Sequence, residues 1–263
     1  MPQTSYTISH FALRILRNEK DCVSICNMKK VFIIIALFFS IQSFAQIETD
    51  THVFWLPGAK LTFDMFQGAA PDSAYVKKLT DLNIYHQIAT GFWAALDVPN
   101  SKRGWKKGLI EKYYFCAAME KGNSFFIVRD STELKYAQLL WDICEVATRI
   151  SRRNLDQSVT SINEGLDKPA NGAISIVYMT CLNDGRQFGK EVTYALIDKV
   201  ITTHDETEYQ KFRSQIDELL QQLEAYATTE EEIRRLISDT PDKGYMLAPT
   251  LNPDSKGRGT IRY

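Results

Sequence analysis

The segment that spans residues 130–154 carries the most regular hydrophobic pattern of this chain. Asp130 can accept hydrogen bonds from the free N–H groups of a first helical turn, and Glu133 follows three residues later, as in a capping box. The apolar side chains after them recur every three or four residues, which is the spacing of one helix face. They are Tyr136, Leu139, Leu140, Ile143, Val146, Ala147 and Ile150. The pattern predicts a long helix that packs against its domain by this face.

Extended segments precede this helix. Alternating or aromatic-rich runs predict strands at residues 53–55, 84–93, 112–119 and 124–128, and a further extended segment at 60–68. A tight turn at residues 121–123 separates two of these strands, so they should pair antiparallel.

The C-terminal half predicts more helix than strand. Residues 173–181 have the composition of a strand, whereas the pattern of 191–201 fits either a strand or a short helix. Residues 205–227 form a second long amphipathic helix, and Thr229 with Glu232 caps a short helix that ends at Ser238. The predicted fold class is α+β: a small, largely antiparallel sheet packed on the 130–154 helix, plus a second long C-terminal helix.

An export signal precedes this domain. Met28 and two lysines lead into an uninterrupted apolar run at residues 31–39, and the small-x-small site at 43–45 follows, so that Gln46 becomes the new N-terminus. A membrane anchor would need about 20 apolar residues, and polar residues interrupt this run at Ser40. We therefore predict a cleaved signal peptide at 28–45, a non-native extension at 1–27, and a periplasmic or secreted protein.

The exported part is predicted to be a single domain at residues 46–238. Prolines and glycines break up every pattern after it, which predicts a flexible tail at 239–263. The net charge of the whole chain is −1 at pH 7 and no basic cluster is present, which argues against nucleic acid as a partner. The mature chain contains no second apolar run, so no membrane span is predicted there. The sequence does not identify a partner.

Three cysteines fall within the exported domain. Cys116, Cys144 and Cys181 stand singly in apolar stretches, without a CxxC pair. This placement favours buried free thiols, although one disulfide with one free thiol is the alternative that export permits.

Two segments carry a family resemblance. Trp55 followed by residues 61–68 (Leu-Thr-Phe-Asp-Met-Phe-Gln-Gly) resembles the opening motif Trp, then Leu-x-Trp-x-Asp-Phe-x-Gly, of a bacterial domain-of-unknown-function family. Its members are regarded as secreted zinc metallopeptidases. Residues 136–145 resemble the family's helix His-Glu-Gln-x-His-Phe-Asp-Ile-x-Glu, which an arginine follows four residues later. The matching residues are Gln138, Asp142, Ile143, Glu145 and Arg149, with Trp141 in place of the aromatic residue.

The resemblance implies a zincin-like fold, but the zinc-binding residues are replaced. In an HExxH helix two histidines one turn apart hold Zn²⁺, and the glutamate activates its water. Tyr136, Ala137 and Leu140 occupy these positions here. Leucine has no donor atom, alanine cannot take a proton, and a lone phenol is a poor zinc site. We therefore predict no catalytic residues, no metal and no other cofactor, and a helix face that packs inward.

Asp142, Glu145 and Arg149 match the family at positions that would orient the zinc ligands. Without those ligands their predicted role is structural, as an ion-pair cluster that holds the helix against neighbouring loops. The histidines give no second metal site, because His52, His86 and His204 are far apart in the sequence. His86 is expected to be a half-buried strand residue, and His204 to mark the start of a helix.

Three functions follow from these observations. The first is an exported, non-catalytic, metallopeptidase-like protein (a pseudoenzyme) with a binding or structural role. The second is a hydrolase or peptidase with relocated catalytic residues, which a polar cleft gathering His86, Glu145 or His204 would favour. The third is an unrelated exported α+β domain, which a 130–154 helix without strands packed on it would favour.

Overall fold

The computed structural model of the protein describes residues 46–248. The predicted extension at 1–27, the signal peptide at 28–45 and the end of the predicted tail at 249–263 lie outside the described residues. Within the described part of the chain, no helix combines the length and the apolar character that crossing a membrane requires.

The described residues form an α+β fold, as predicted. The strands are β1 (His52–Phe54), β2 (His86–Gln87), β3 (Thr90–Pro99), β4 (Lys112–Glu120), β5 (Phe125–Phe126) and β6 (Tyr245–Leu247). The helices are α1 (Ser73–Asp81), α2 (Lys102–Lys106), α3 (Ser131–Asn163), α4 (Ala173–Leu196), α5 (Glu206–Gln222) and α6 (Glu230–Ser238). A π-helix at Ile197–Ile201 continues α4.

Four strands form an antiparallel sheet in the order β1-β4-β3-β6, and β2 pairs with β5 in a separate two-stranded sheet. On one face of the larger sheet, Trp93 and Cys116 pack with Ile233 of α6. Neighbouring residues of a strand point to opposite faces, and Phe115 on the other face meets Tyr178 of α4, with ring centroids 5.2 Å apart. The sheet is therefore covered on both sides, which explains the burial of most of β3 and β4.

Helix α3 is the centre of the fold. It begins where predicted, because Asp130 Oδ1 accepts hydrogen bonds from the N–H groups of Thr132 and Glu133 at 2.8 and 2.9 Å. Every residue from 139 to 152 is buried, since the sheet, α4 and α5 surround this part of the helix. The predicted end near residue 154 is wrong, because α3 continues to Asn163. Residues 156–163 are all exposed or half-buried, so the apolar pattern of these last turns is weak.

The strand predicted at residues 173–181 is wrong, because this segment is the first part of α4. Its β-branched residues favour a strand locally, but packing against α3 outweighs this weak preference. Helix α4 also lacks a cap of its own: Gly172 is the N-cap residue and offers no side chain. The segment 191–201, whose pattern fits either a strand or a short helix, is helical throughout.

Helices α5 and α6 confirm the remaining helix predictions. Asp205 caps α5 by accepting the N–H groups of Thr207 and Glu208 at 2.8 and 3.0 Å, and α5 is followed by a 3-10 turn at Glu224–Tyr226. Thr229 and Glu232 form the predicted capping box of α6. The described residues therefore contain three long helices, α3, α4 and α5, where the sequence predicted two.

Three smaller predictions also need correction. The strand predicted at 84–93 is divided between β2 and β3, which belong to different sheets. The extended segment at 60–68 contains a 3-10 helix at Phe63–Met65, whose hydrogen bonds are local. The predicted flexible tail begins with an edge strand, because β6 pairs with the end of β3 and Asp97 faces Leu247. Three residues are too few to give a recognisable strand pattern.

The cysteines agree with the favoured prediction, since Cys116, Cys144 and Cys181 are buried and none forms a disulfide with another described residue. Burial raises the pKa of the Cys116 thiol well above its usual range. Because the thiolate is the reactive form, this cysteine is expected to be inert in the folded protein.

Candidate functional site

The three positions that the predicted resemblance aligns with the HExxH residues lie near the N-terminal end of α3. Tyr136 is 1% exposed, Ala137 0% and Leu140 8%. The ring of Tyr136 packs beside His204 and Tyr209, with centroids 5.8 and 5.6 Å apart. Burial, together with the charges of Glu206 and Glu133, raises the pKa of Tyr136 to about 12. Its phenol is therefore protonated at neutral pH and does not offer the anionic oxygen of a metal ligand.

Elsewhere in residues 46–248, no group of three or more histidine, cysteine, aspartate or glutamate side chains has an arrangement that could hold a metal ion. His52 lies on β1 with its ring 4.8 Å from that of Trp93, in an edge-to-face contact.

The family-like residues Trp55, Gln138 and Asp142 form one hydrogen-bonded network. Asp142 Oδ1 accepts hydrogen bonds from Trp55 Nε1 at 2.8 Å and from Gln138 Nε2 at 3.0 Å. Gln138 Oε1 in turn accepts the N–H of Leu61 at 2.8 Å. The two motif segments, far apart in the sequence, therefore bind each other directly. The sequence did not predict these contacts.

The ion pairs differ from the single cluster predicted for Asp142, Glu145 and Arg149. Arg149 Nε donates to Glu145 Oε1 at 2.9 Å, whereas Asp142 pairs with Arg213 of α5, whose Nη1 lies 2.6 Å from Oδ2. Thr228 donates to both oxygens of Glu145, from its N–H at 3.0 Å and its hydroxyl at 2.7 Å. Arg213 was missed because its partner lies 71 residues away.

Arg149 also faces a cleft. Its guanidinium carbon lies 5.0 Å from the centroid of the Trp55 ring, and Nη1 donates to the carbonyl oxygen of Leu220 at 2.5 Å. No hydrogen bond within residues 46–248 uses Nη2. The cleft has a volume of about 640 Å³, and its walls include Trp55, Lys60, Gln138, Asp142, Arg149 and Arg213.

A second group of polar residues lies at the first turn of α3. Glu133 Oε2 lies 2.6 Å from Nδ1 of His86, and Oε1 lies 3.1 Å from Nε2 of His204. The side chains of His86 and Glu133 are 2% and 1% exposed, whereas that of His204 is 34% exposed. The structure therefore brings together two of the three histidines of residues 46–248, and it does so on Glu133 rather than on Glu145.

No local sequence pattern indicates this arrangement. Glu133 matched the third residue of a capping box, where glutamate reaches back to the N-cap. Its side chain turns to the histidines instead. His86 is fully buried, where a half-buried residue was expected, while His204 directly precedes the N-cap residue of α5, as predicted.

His86 lines a separate pocket of about 440 Å³ between α1, the start of β3 and the end of α4. Leu140 also borders this pocket, so the residue at the second histidine position of the HExxH motif is buried but not wholly enclosed by protein. The carboxylate of Glu133 lies behind His86 and is not part of the pocket wall.

No family model matches the chain, and no curated protein or solved structure matches it significantly. The metallopeptidase resemblance stays a prediction that rests on the motif residues.

Proposed function

We propose that the protein is an exported, non-catalytic relative of zincin-like metallopeptidases that binds a ligand in the cleft beside Trp55 and Arg149. One contrast carries the proposal. The side chain at the position of the catalytic glutamate, Ala137, has no exposed surface. By contrast, the family-like residues Trp55 and Asp142 are hydrogen-bonded to each other beside an open cleft, and Arg149 lies over the Trp55 ring.

The packing of strands on α3 supports this proposal over an unrelated domain. A 130–154 helix without strands against it would have favoured the unrelated domain. Instead, β3 and β4 both contact α3, and Arg152 of α3 donates a hydrogen bond to the carbonyl oxygen of Phe115 on β4.

The chemistry of the cleft favours a carboxylate ligand. Arg149 is 3% exposed, and Nη2 is its one nitrogen donor group that no described residue occupies. A buried guanidinium N–H binds an anionic oxygen strongly, and the indole of Trp55 supplies an apolar surface next to it. A volume of about 640 Å³ is within the usual range for small-ligand sites. The C-terminus of a short peptide has this combination of groups.

Calorimetric titration tests the binding proposal. The probes are N-acetyl-trialanine, which has a free carboxylate, and its C-terminal amide. The acid should bind more tightly than the amide. Arg149→Lys should weaken binding of the acid, because an ammonium lacks the fork that guanidinium presents. Arg234→Ala, at an exposed position of α6, is the control and should leave binding unchanged. Equal binding of acid and amide would contradict the proposal.

Metal analysis tests the non-catalytic part. The purified protein should contain no stoichiometric zinc by plasma mass spectrometry, and it should not cleave a generic peptide substrate when zinc is added. A tightly held zinc ion in each chain, removed by chelation together with a peptidase activity, would overturn it.

The second candidate function is a hydrolase with relocated catalytic residues. It is supported by the 2.6 Å contact of His86 Nδ1 with Glu133, because a carboxylate that holds one ring nitrogen prepares the other to act as a general base. Turnover of a neutral p-nitrophenyl ester, lost in Glu133→Gln, would favour it. Absence of turnover in the unmodified protein would exclude that ester chemistry.

A further inference from the structure

We infer that the pocket beside His86 binds a small, uncharged molecule that donates a hydrogen bond to Nε2 of this histidine. The pocket is separate from the cleft at Arg149, and the two share no wall residue. The inference therefore goes beyond the proposed function and does not depend on it.

Glu133 holds the His86 ring in its orientation from the side opposite the pocket. Its Nδ1 lies 2.6 Å from Glu133 Oε2, and an ionised carboxylate can only accept a hydrogen bond. Nδ1 therefore carries the proton in the neutral ring, which makes Nε2 an acceptor. Within residues 46–248, no hydrogen bond uses this Nε2. Because His86 is in the pocket wall and its Nε2 is not enclosed by protein, this nitrogen can accept a hydrogen bond from a donor in the pocket.

The pocket wall itself is unusual. The π-helix at Ile197–Ile201 contributes Ile197 and Ile201 to it, and π-helical turns are rare in proteins and are frequent at functional sites. Asn83 and His204, on either side of this region, have left-handed backbones with φ of 56° and 55°. Asn83 Nδ2 joins the two segments by donating to the carbonyl oxygen of Thr202 at 3.1 Å. Of these irregular positions, Ile197 and Ile201 are in the pocket wall and Asn83 directly precedes the wall residue Ile84; irregular backbone of this kind is frequent at binding sites.

The wall chemistry indicates the class of ligand. All the residues that line the pocket are uncharged or histidine, so nothing in the wall would offset the desolvation of a charged ligand. Leu79, Ile84 and Leu140 supply apolar surface, while Thr90 and Thr193 supply hydroxyl groups. A ligand with a flat or compact apolar body and one N–H or O–H donor fits this wall.

Three related probes separate the features of the ligand. Indole has an apolar body and one N–H donor, 1-methylindole lacks the donor, and indole-3-carboxylate adds a charge. Indole should shift the imidazole resonances of His86 in two-dimensional NMR spectra of the ¹⁵N-labelled protein. We expect at least tenfold weaker binding of each of the other two probes. Equal binding of indole and 1-methylindole would overturn the inference, as would the absence of any shift at the solubility limit of indole.

Variants place the probe in the pocket. Leu140→Phe fills the pocket and leaves the His86–Glu133 contact in place, so it should abolish the indole-induced shifts. Leu82→Phe makes the same change at a position that is 49% exposed and outside the pocket wall, and it should have no effect. Retained binding in Leu140→Phe would contradict this location. Arg149→Lys should leave indole binding intact. The experiments therefore test the His86 pocket and the Arg149 cleft independently, and one proposal can fail while the other holds.

Discussion

Gly185 of α4 lies directly against the main chain of Ala147 in α3, so that a Cβ atom added to Gly185 would lie 2.3 Å from the carbonyl oxygen of Ala147. The same Cβ would lie 2.1 Å from Oγ of Ser151. Backbone cannot move aside as a flexible side chain can. This glycine therefore sets how closely the two longest helices approach each other.

Gly185→Ala is expected to destabilise the protein by about 1–3 kcal/mol, because the helices must move apart in a packed core. Urea unfolding followed by circular dichroism measures the change. Gly122→Ala is the matched control, since a Cβ at Gly122 would meet no atom within 4 Å. The control should change the free energy of unfolding by less than about 0.5 kcal/mol. Equal losses in the two variants would contradict the close helix packing.

The two neighbouring arginines of α6 should differ sharply in their effect on stability. Arg235 is buried and forms a two-pronged ion pair with Asp97 of β3, which is itself fully buried. Arg234 makes an exposed pair with Glu230. Arg235→Ala leaves a buried charge without a partner and should cost about 3–5 kcal/mol. Arg234→Ala should cost less than about 1 kcal/mol. Urea unfolding measures the loss in free energy of unfolding for each variant. Similar losses would show that Asp97 is solvated or paired with another residue when Arg235 is removed.

Sequence patterns predicted the elements whose signals are local. The start of α3 at Asp130 and the capping box of α6 at Thr229 each depend on a few adjacent residues, and both are correct. The prediction for α4 was wrong because the signal that starts this helix is not local. Its first turn is capped by Glu111, which precedes β4 and accepts the N–H groups of Ile174 and Ser175 at 2.9 and 3.2 Å. A cap supplied from a distant segment leaves no trace in the local sequence.

The stability of α4 should therefore depend on Glu111. Glu111→Ala removes the acceptor of two backbone N–H groups and of the Ser175 hydroxyl, all of them half-buried. A hydrogen bond to a charged group contributes about 1.5–3 kcal/mol, so we expect a loss of at least this size. Ser175→Ala removes only the hydroxyl interaction and should cost clearly less. Urea unfolding gives both values. A loss in Ser175→Ala as large as that in Glu111→Ala would mean that the backbone cap contributes nothing.

The same distinction holds at the candidate sites. The motif residues were recognisable one by one, but the bond between Trp55 and Asp142 joins residues 87 positions apart. The pairing of His86 and His204 through Glu133 could not be recognised in the sequence. Glu133 matched a local capping box, and the two histidines are far apart in the chain. Contacts of this kind depend on the tertiary fold, which periodicity and motif spacing do not encode.

The environment of Tyr136 predicts a specific pH dependence. Burial, and then the charges of Glu206 and Glu133, raise its pKa from 10.0 to about 12 in the folded protein. As the pH rises, the phenol ionises first in the unfolded chain, so the stability that Tyr136 contributes is complete below about pH 10 and is lost as the pH rises towards about 12. Tyr136→Phe cannot ionise, and its free energy of unfolding should fall less steeply in that window.

Urea unfolding of both proteins at a series of pH values measures this difference. Below about pH 9 the phenol is protonated in both states, so the two proteins should show parallel pH dependence there, which serves as the internal control. Above about pH 10 the curves should diverge, with the unmodified protein losing stability faster. Parallel curves up to the alkaline limit would mean that water reaches the Tyr136 hydroxyl. The helix face that carries Tyr136 would then not be a packed surface, and the non-catalytic proposal would lose support.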